Sequence, residues 1–387
     1  MDLTVTKRDI VRLVERCQGV ADKKSTMPVL ANVLLSTQGT SELRIAATDL
    51  YVSVSGIIPV QIKKGGSIAV PARDLYERIK MMPDGPLQIV TGDGGLAKLK
   101  SASSAREYKL HGMPGDDFPS LPEPDASAAT FEIELDLLST LIARTHFSIS
   151  TDETRAALNS ALFEWDGDRV RMVTTDGHRL SKMEATIEGM KASATMLVPL
   201  KAVRELRALS DRGREDASRD AGKDETAQRP RAIVQQSGPN AFFQIGGVRF
   251  SVKLVDAQFP PYAQVIPQST ERSVRLPRVA LIDALKAVKL AASDRTGGVR
   301  LEVSPGKVGI KSESPETGEA YDEVSADYAG APVTIGFNAQ YFLDVLGSLD
   351  DDEIVLGIGG DLDPAVVRPA SESATRDFRA VIMPMRI

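Results

Sequence analysis

The first residues able to do chemistry lie in Thr175-Asp176-Gly177-His178-Arg179-Leu180, where an aspartate and a histidine stand two positions apart. An Asp–His pair can serve as an acid–base relay, which would suit an enzyme acting on nucleic acid. Residues this close in sequence rarely form one, and no nucleophile is tied to them by spacing. As an Asp-Gly turn leading into a strand, the segment needs no catalytic explanation. Asp350-Asp351-Asp352-Glu353 is dense in carboxylate, but no second ligand cluster accompanies it. It reads as a solvated turn between a helix and a strand rather than a cation site. One cysteine, Cys17, and three histidines, His111, His146 and His178, leave no Cys-based zinc or iron–sulfur site and no disulfide within the chain. No G-x-x-x-x-G-K-[ST], H-E-x-x-H, G-x-S-x-G or C-x-x-C pattern occurs. The sequence predicts no catalytic residue, no metal and no cofactor.

The elements that carry these residues recur. Val70-Pro71-Ala72-Arg73 opens a helical pattern, as do Val198-Pro199-Leu200-Lys201 and Ile335-Gly336-Phe337-Asn338. Thr48-Asp49 anticipates Thr175-Asp176, and Asp117-Phe118-Pro119 resembles Gln258-Phe259-Pro260. Each repeat begins with a short strand and a helix: 3–5 then 7–20, 131–134 then 135–147, and 274–276 then 277–290. Ordered landmarks at near-constant spacing mark an internal repeat. In 7–20, Ile10, Val11, Leu13, Val14 and Cys17 form an apolar stripe, with Arg8, Arg12 and Arg16 on another face. Pro199 and Pro277 suit helix starts, and Asn338 suits an N-cap. Between helices the period becomes two, with hairpins at Asp166-Gly167 and Gly246-Gly247. The pattern is α+β: three domains at 1–126, 127–266 and 267–387, each with two helices and antiparallel sheets. Residues 211–231 are rich in both charges and lack aromatics, and they read as a solvated, mobile insertion.

The chain has 387 residues, 42% hydrophobic and 26% charged, which rules out global disorder. Its net charge of −6 is not that of a conventional groove-reading DNA binder. The charge is polarised, however. Six helical segments, 7–20, 73–82, 135–147, 200–212, 277–290 and 338–349, carry fifteen basic and nine acidic residues. The remainder is correspondingly acidic, so equivalent helices offer one positive surface to a polyanion. No apolar run approaches the roughly 18 residues of a membrane span. Met1 to Ile10 carries four charges and no apolar core of a signal peptide. A cytoplasmic protein without a membrane role is expected.

At this point the residues carry a resemblance. Thr175-Asp176-Gly177-His178-Arg179-Leu180, Lys253-Leu254-Val255-Asp256 with Phe259-Pro260, Gly336-Phe337-Asn338 with Tyr341, and the ending Met383-Pro384-Met385-Arg386-Ile387 together resemble the bacterial DNA polymerase III beta subunit family, the sliding clamps. The resemblance runs the whole chain in order. It implies three clamp domains, a head-to-tail homodimer forming a six-domain ring, helices lining the hole, and a non-catalytic processivity role. The implied partners are double-stranded DNA without sequence preference, the clamp loader complex, the replicative polymerase alpha subunit and other proteins with clamp-binding motifs.

Carried over by position, the resemblance implies a partner-peptide pocket at Leu158, Thr175, Gly177, His178, Arg179, Leu180, Pro260, Val265, Asn338, Tyr341, Leu362, Val381, Ile382, Met383, Pro384, Met385 and Arg386. Leu158, Leu180 and Val265 would be apolar walls, the methionines adaptable contacts, and Arg179 or Arg386 the holder of a peptide carboxylate. Lys24, Arg73 and Lys201 would face DNA. The chain departs from the family pattern at Gln264, where an arginine is common, and in the short 293–298 loop. It departs again at Ala156-Ala157, where aromatics can follow Arg155, and at Ala291-Ala292, where the family can brace the dimer seam. Two other readings of the residues are an enzyme using Asp176 and His178 and a peptide scaffold that never encircles DNA.

Overall fold

The computed structural model describes residues 1–92, 94–221, 229–293, 297–371 and 373–386. It contains α1 (Lys7–Gln18), α2 (Ala72–Met81), α3 (Leu135–Ala143), α4 (Leu200–Ala221), α5 (Arg278–Lys289) and α6 (Ala339–Gly347), and a strand runs directly into each of them. All named strand pairings are antiparallel, so the α+β expectation holds. Contacts divide the chain into two compact units, Met1–Leu138 with Arg204–Leu254 and Ser139–Val203 with Val255–Ile387.

In the first unit, α1 begins at Thr6, whose hydroxyl accepts the Asp9 N–H at 3.3 Å. Ile10, Leu13, Val14 and Cys17 are buried as the stripe requires. A nine-stranded sheet runs through Val52–Pro59 and Val248–Lys253, which pair directly with Val54 opposite Phe250. A five-stranded sheet places Asp2–Thr6 between Gln61–Lys64 and Pro86–Thr91. The hairpin at Gly246 closes on Ile245 opposite Val248, with Gly246 at φ 57°.

In the second unit, an eight-stranded sheet joins Arg179–Thr186 to Arg376–Ile382, with Leu180 opposite Val381. The hairpin at Gly167 joins Ser160–Gly167 to Arg169–Thr175, with that glycine at φ 64°. A four-stranded sheet ends on Val333–Asn338. Asn338 caps α6 as its type suggested, its side-chain oxygen accepting the Gln340 N–H at 2.8 Å.

One expectation fails. Residues 211–221 are not an insertion loop: α4 continues to Ala221. Residues 222–228 lie outside the described residues. Ion pairs stabilise the added turns in place of an apolar stripe. Asp216 meets Arg12 at 2.9 Å and also Arg16, and Arg212 meets Glu15 at 3.6 Å. Within the helix, Arg214–Asp211 and Arg219–Glu215 pair across one turn. Gly213 lets the helix approach Ile245 and Leu135, where a Cβ would sit 2.7 and 2.9 Å from their side chains. With the observed bounds the six helices carry sixteen basic and twelve acidic residues. The positive excess is four rather than six, and Arg12 and Arg16 are engaged inside the unit.

The Arg12–Asp216–Arg16 group is mostly covered, so its loss would strand two guanidinium groups. Asp216→Ala should lower the unfolding free energy by about 2 kcal/mol, within the range for a half-buried charged partner. Urea denaturation checks this, and a change below about 0.5 kcal/mol, the usual size of a surface substitution effect, would mark the group as a surface feature.

Candidate functional site

The site grows from one turn. In Thr175–Arg179 the Thr175 hydroxyl donates to the Arg179 carbonyl at 2.7 Å and accepts the Gly177 N–H at 3.2 Å. Oδ1 of Asp176 accepts the N–H groups of His178 and Arg179 at 2.9 and 3.0 Å. Its Oδ2 accepts Nε of Arg179 at 3.1 Å. The Asp176 carboxylate is therefore committed to holding the turn, and His178 is exposed with its main chain engaged. The acid–base relay has no support in this geometry.

Thr48–Val52 repeats the turn's four side-chain-to-backbone bonds, while the Asp176–Arg179 side-chain bond has no counterpart at Val52. Oγ1 of Thr48 donates to the Val52 carbonyl at 3.0 Å and accepts the Leu50 N–H at 3.0 Å. Oδ1 of Asp49 accepts Tyr51 and Val52 N–H at 2.8 and 2.6 Å. Leu50 at φ 77° stands where the second unit has Gly177 at φ 92°, and Leu50 is the only non-glycine with positive φ among the described residues.

Arg179 is the electrostatic centre of the site. Its Nη1 donates to Oδ2 of Asp344 on α6 at 2.6 Å, and Nη2 donates to the Phe147 carbonyl. The guanidinium lies 4.5 Å from the centre of the Tyr341 ring. Burial pushes the Tyr341 hydroxyl above its ordinary pKa, and Asp176 and Asp344 push the same way, with Arg179 opposing. The guanidinium is thus engaged by two carboxylates, a carbonyl and a ring, and these contacts join the turn to α6.

The C-terminal segment closes the frame. The Met383 N–H donates to the His178 carbonyl at 2.9 Å, and the Met385 N–H donates to the Gly336 carbonyl at 2.9 Å. The tail is thereby fixed to the strand leading into α6 as well as to the turn. Met383, Pro384 and Met385 are half-buried and Arg386 is exposed.

Leu180 and Val381 are buried members of a cluster with Leu162, Val173 and Leu197. Ile382 is buried too. Val255, Phe259, Tyr262 and Ile266 pack on that cluster, so the 255–266 strap lies on the sheet. It carries Pro260 and Val265, both exposed. Leu158 sits in a turn, its N–H donating to the Arg155 carbonyl at 2.9 Å. Leu362 is 63% exposed. Through bonds and ring contacts the structure brings together Thr175, Gly177, His178, Arg179, Tyr341, Met383 and Met385; Leu158, Pro260, Val265 and Leu362 are placed by their own segments.

Sequence reasoning missed Asp344 and Phe147. The signal for Asp344 was its place three residues after Tyr341 on one helix face. Nothing local marks the Phe147 carbonyl as an acceptor. Lys24, Arg73 and Lys201 are exposed, with Arg73 at 2.6 Å from Glu77. Asp351 meets Arg144 at 3.8 Å and Glu353 meets Arg275 at 3.0 Å. Among the described residues no group of three or more ligand side chains could hold a metal.

Removing the Arg179 side chain should destabilise the chain by about 3 kcal/mol, because two partly buried carboxylates lose their partner. Arg179→Ala with Asp344→Ala should be less destabilising than the sum of the single changes. A double-mutant cycle in urea measures this, and strict additivity would mean the pair is not coupled.

Comparison with known proteins follows the same lines. Residues 1–122, 132–261 and 263–386 match the N-terminal, central and C-terminal domain models of the DNA polymerase III beta subunit. The chain is 32% identical to the beta sliding clamp of Pseudomonas putida and 30% identical to that of Caulobacter vibrioides, covering 100% of each chain. It is also similar to the crystal structure of the Pseudomonas aeruginosa DNA polymerase III subunit beta, with TM-score 0.89, 30% identity and 100% coverage of both chains.

Proposed function

The chain belongs to the DNA polymerase III beta subunit family and is a sliding clamp, a non-catalytic processivity subunit, and from that premise we propose how it holds DNA and its partners. Two copies join head to tail into a ring of six domains, with boundaries near 126 and 266. Duplex DNA passes through the hole. Lys24, Arg73 and Lys201 face its phosphates; all three side chains are exposed, Arg73 and Lys201 on a net-basic set of helices and Lys24 on the turn after α1, which supports this. Individual phosphate contacts are weak and salt-sensitive, so retention depends on topology. No helix among the described residues is long and apolar enough to cross a membrane, which fits a cytoplasmic ring.

Partner peptides dock at the turn, the tail and the strap. The observation that carries this is the doubly fixed segment 383–386, bonded at Met383 and Met385. It presents two half-buried methionines beside an exposed arginine. Thr175, Gly177, His178, Tyr341 and Asn338 frame one side, and Leu158, Pro260, Val265 and Leu362 supply outer contacts. The occupants are the clamp loader, the polymerase alpha subunit and other proteins with clamp-binding motifs. Arg386, not Arg179, meets their carboxylates.

Loaded protein should stay on closed circular DNA in high salt and leave when the circle is cut. Equal loss from circular and linear DNA would show simple electrostatic binding.

A short peptide with apolar anchors and an acidic end should bind with a Kd near the micromolar range, about −8 kcal/mol. Deleting residues 383–387 should abolish binding and leave the dimer intact. Arg386→Ala should weaken an acidic peptide about tenfold, or about 1.4 kcal/mol, and barely affect its amidated, uncharged counterpart. Fluorescence titration with both peptides separates the cases; unchanged affinity after truncation places the pocket elsewhere.

A further inference from the structure

We propose that a cleft in the second unit, apart from the turn-and-tail site, binds a compact, multiply charged phosphoryl anion. The cleft has a volume of about 690 Å³ and is lined by Arg144, Arg368, Arg376 and Arg379 together with five serine and threonine side chains, Ser269 and Ser273 among them.

The neighbouring sheet shows how this protein ordinarily treats surface charge. Arg171 meets Glu184 at 2.7 Å and Glu164 at 3.5 Å. Lys182 meets Glu184 at 3.4 Å and Asp377 at 3.7 Å, and Arg379 meets Asp377 at 3.2 Å. Along these strands each cation has an acid. Inside the cleft the pattern holds for Arg379 and Arg144 and breaks at two other arginines. Arg368 and Arg376 have no acidic partner within ion-pair distance among the described residues. Arg368 directly follows the Val367–Ala380 pair, so it approaches Arg379 from the adjacent strand. Like charges on adjacent strands are unfavourable unless something compensates them.

Arg144 completes the set. It sits over the Phe378 ring at 5.8 Å, with Asp351 3.8 Å away. Burial lowers its pKa first, Asp351 and Asp350 oppose, and the charge of Arg376 lowers it further. Arg376 is therefore felt by Arg144, and among the described residues Asp351 and Asp377 are the acids that line the cleft against four arginines. Guanidinium forks match phosphoryl oxygens bidentately, and hydroxyls donate to those that remain. Four arginines against two aspartates leave a net charge of two, and a single carboxylate would compensate only half of it. The one aromatic residue in the lining, Phe378, is buried and covered by Arg144, so no ring is offered to a nucleobase. Recognition is of the phosphoryl chain.

The test is calorimetric titration of the full-length protein at fixed ionic strength with inorganic tripolyphosphate, a nucleoside triphosphate, sulfate and a hexaglutamate peptide. One tripolyphosphate should bind per chain, well ahead of sulfate. R368Q/R376Q should weaken it at least tenfold, while K63Q/K64Q, an equal charge loss in the first unit, should leave it unchanged. R376Q alone, at an exposed side chain, should weaken it in the same direction even where the double variant melts early. Equal affinity for tripolyphosphate and nucleotide supports recognition of the phosphoryl chain alone, and markedly tighter nucleotide binding overturns that by showing a contact to the base. Absence of binding, equal loss in both double variants, or preference for hexaglutamate overturns the assignment.

Discussion

Antiparallel pairing between strands from successive sequence repeats is the constraint on which the rest depends. In the first unit Val52–Pro59 pairs with Val248–Lys253, and in the second Arg179–Thr186 pairs with Arg376–Ile382. In both, the strand leaving a Thr-Asp turn meets a strand from the following repeat. The pairing fixes the turn, because a one-residue slip would turn every buried side chain outward. It also decides where the chain exits. Lys253 donates its N–H to the Tyr51 carbonyl in one unit, and Met383 donates to the His178 carbonyl in the other. The partner site we propose is this common frame with a methionine-rich exit.

Much of the architecture was legible because it rests on short-range rules. Hairpins at Gly167 and Gly246, the Asn338 cap and the α1 stripe follow from glycine conformation, side-chain capping and periodicity. Recurrence of Thr-Asp pointed to equivalent turns, and those turns share their hydrogen bonds. The extent of α4 was not legible. Its second half is held by Asp216, whose partners Arg12 and Arg16 lie about two hundred positions earlier, and composition alone cannot register such a pairing. The state of Arg179 was equally hidden. A surface-like arginine in a motif looks available, and only the approach of Asp344 and the Phe147 carbonyl shows that it is not.

Charge therefore divides into two classes. Arg171 and Arg179 are each neutralised by carboxylates within their unit, Arg12 and Arg16 share Asp216, and all four serve architecture. A tether needs the other class, exposed cations held by no more than an exposed, exchangeable partner, as Glu77 is to Arg73, because a ring that slides must exchange phosphate contacts quickly. A guanidinium already held by two carboxylates contributes little field at DNA distance, so counts of basic residues overstate the surface offered to a polyanion.

The two Thr-Asp turns show how one frame yields different surfaces. Side-chain bonds from Thr and Asp define the turn, and the third position must then adopt positive φ. Glycine does so freely at 177, where a Cβ would meet only Arg155 at 3.8 Å. Leucine does so at 50 against an intrinsic penalty of roughly 1–2 kcal/mol. The same bonds hold both, so the frame is rigid enough to impose that conformation on a residue that disfavours it. Leu50 is also 52% exposed and Tyr51 65%, so neither is retained at this turn for core packing. Position 177 stays bare where Arg155 reaches the Asp176 carbonyl at 3.4 Å, and a larger side chain would crowd that arginine. The repeat conserves backbone hydrogen bonding, and the third and fourth turn residues give each copy its own surface.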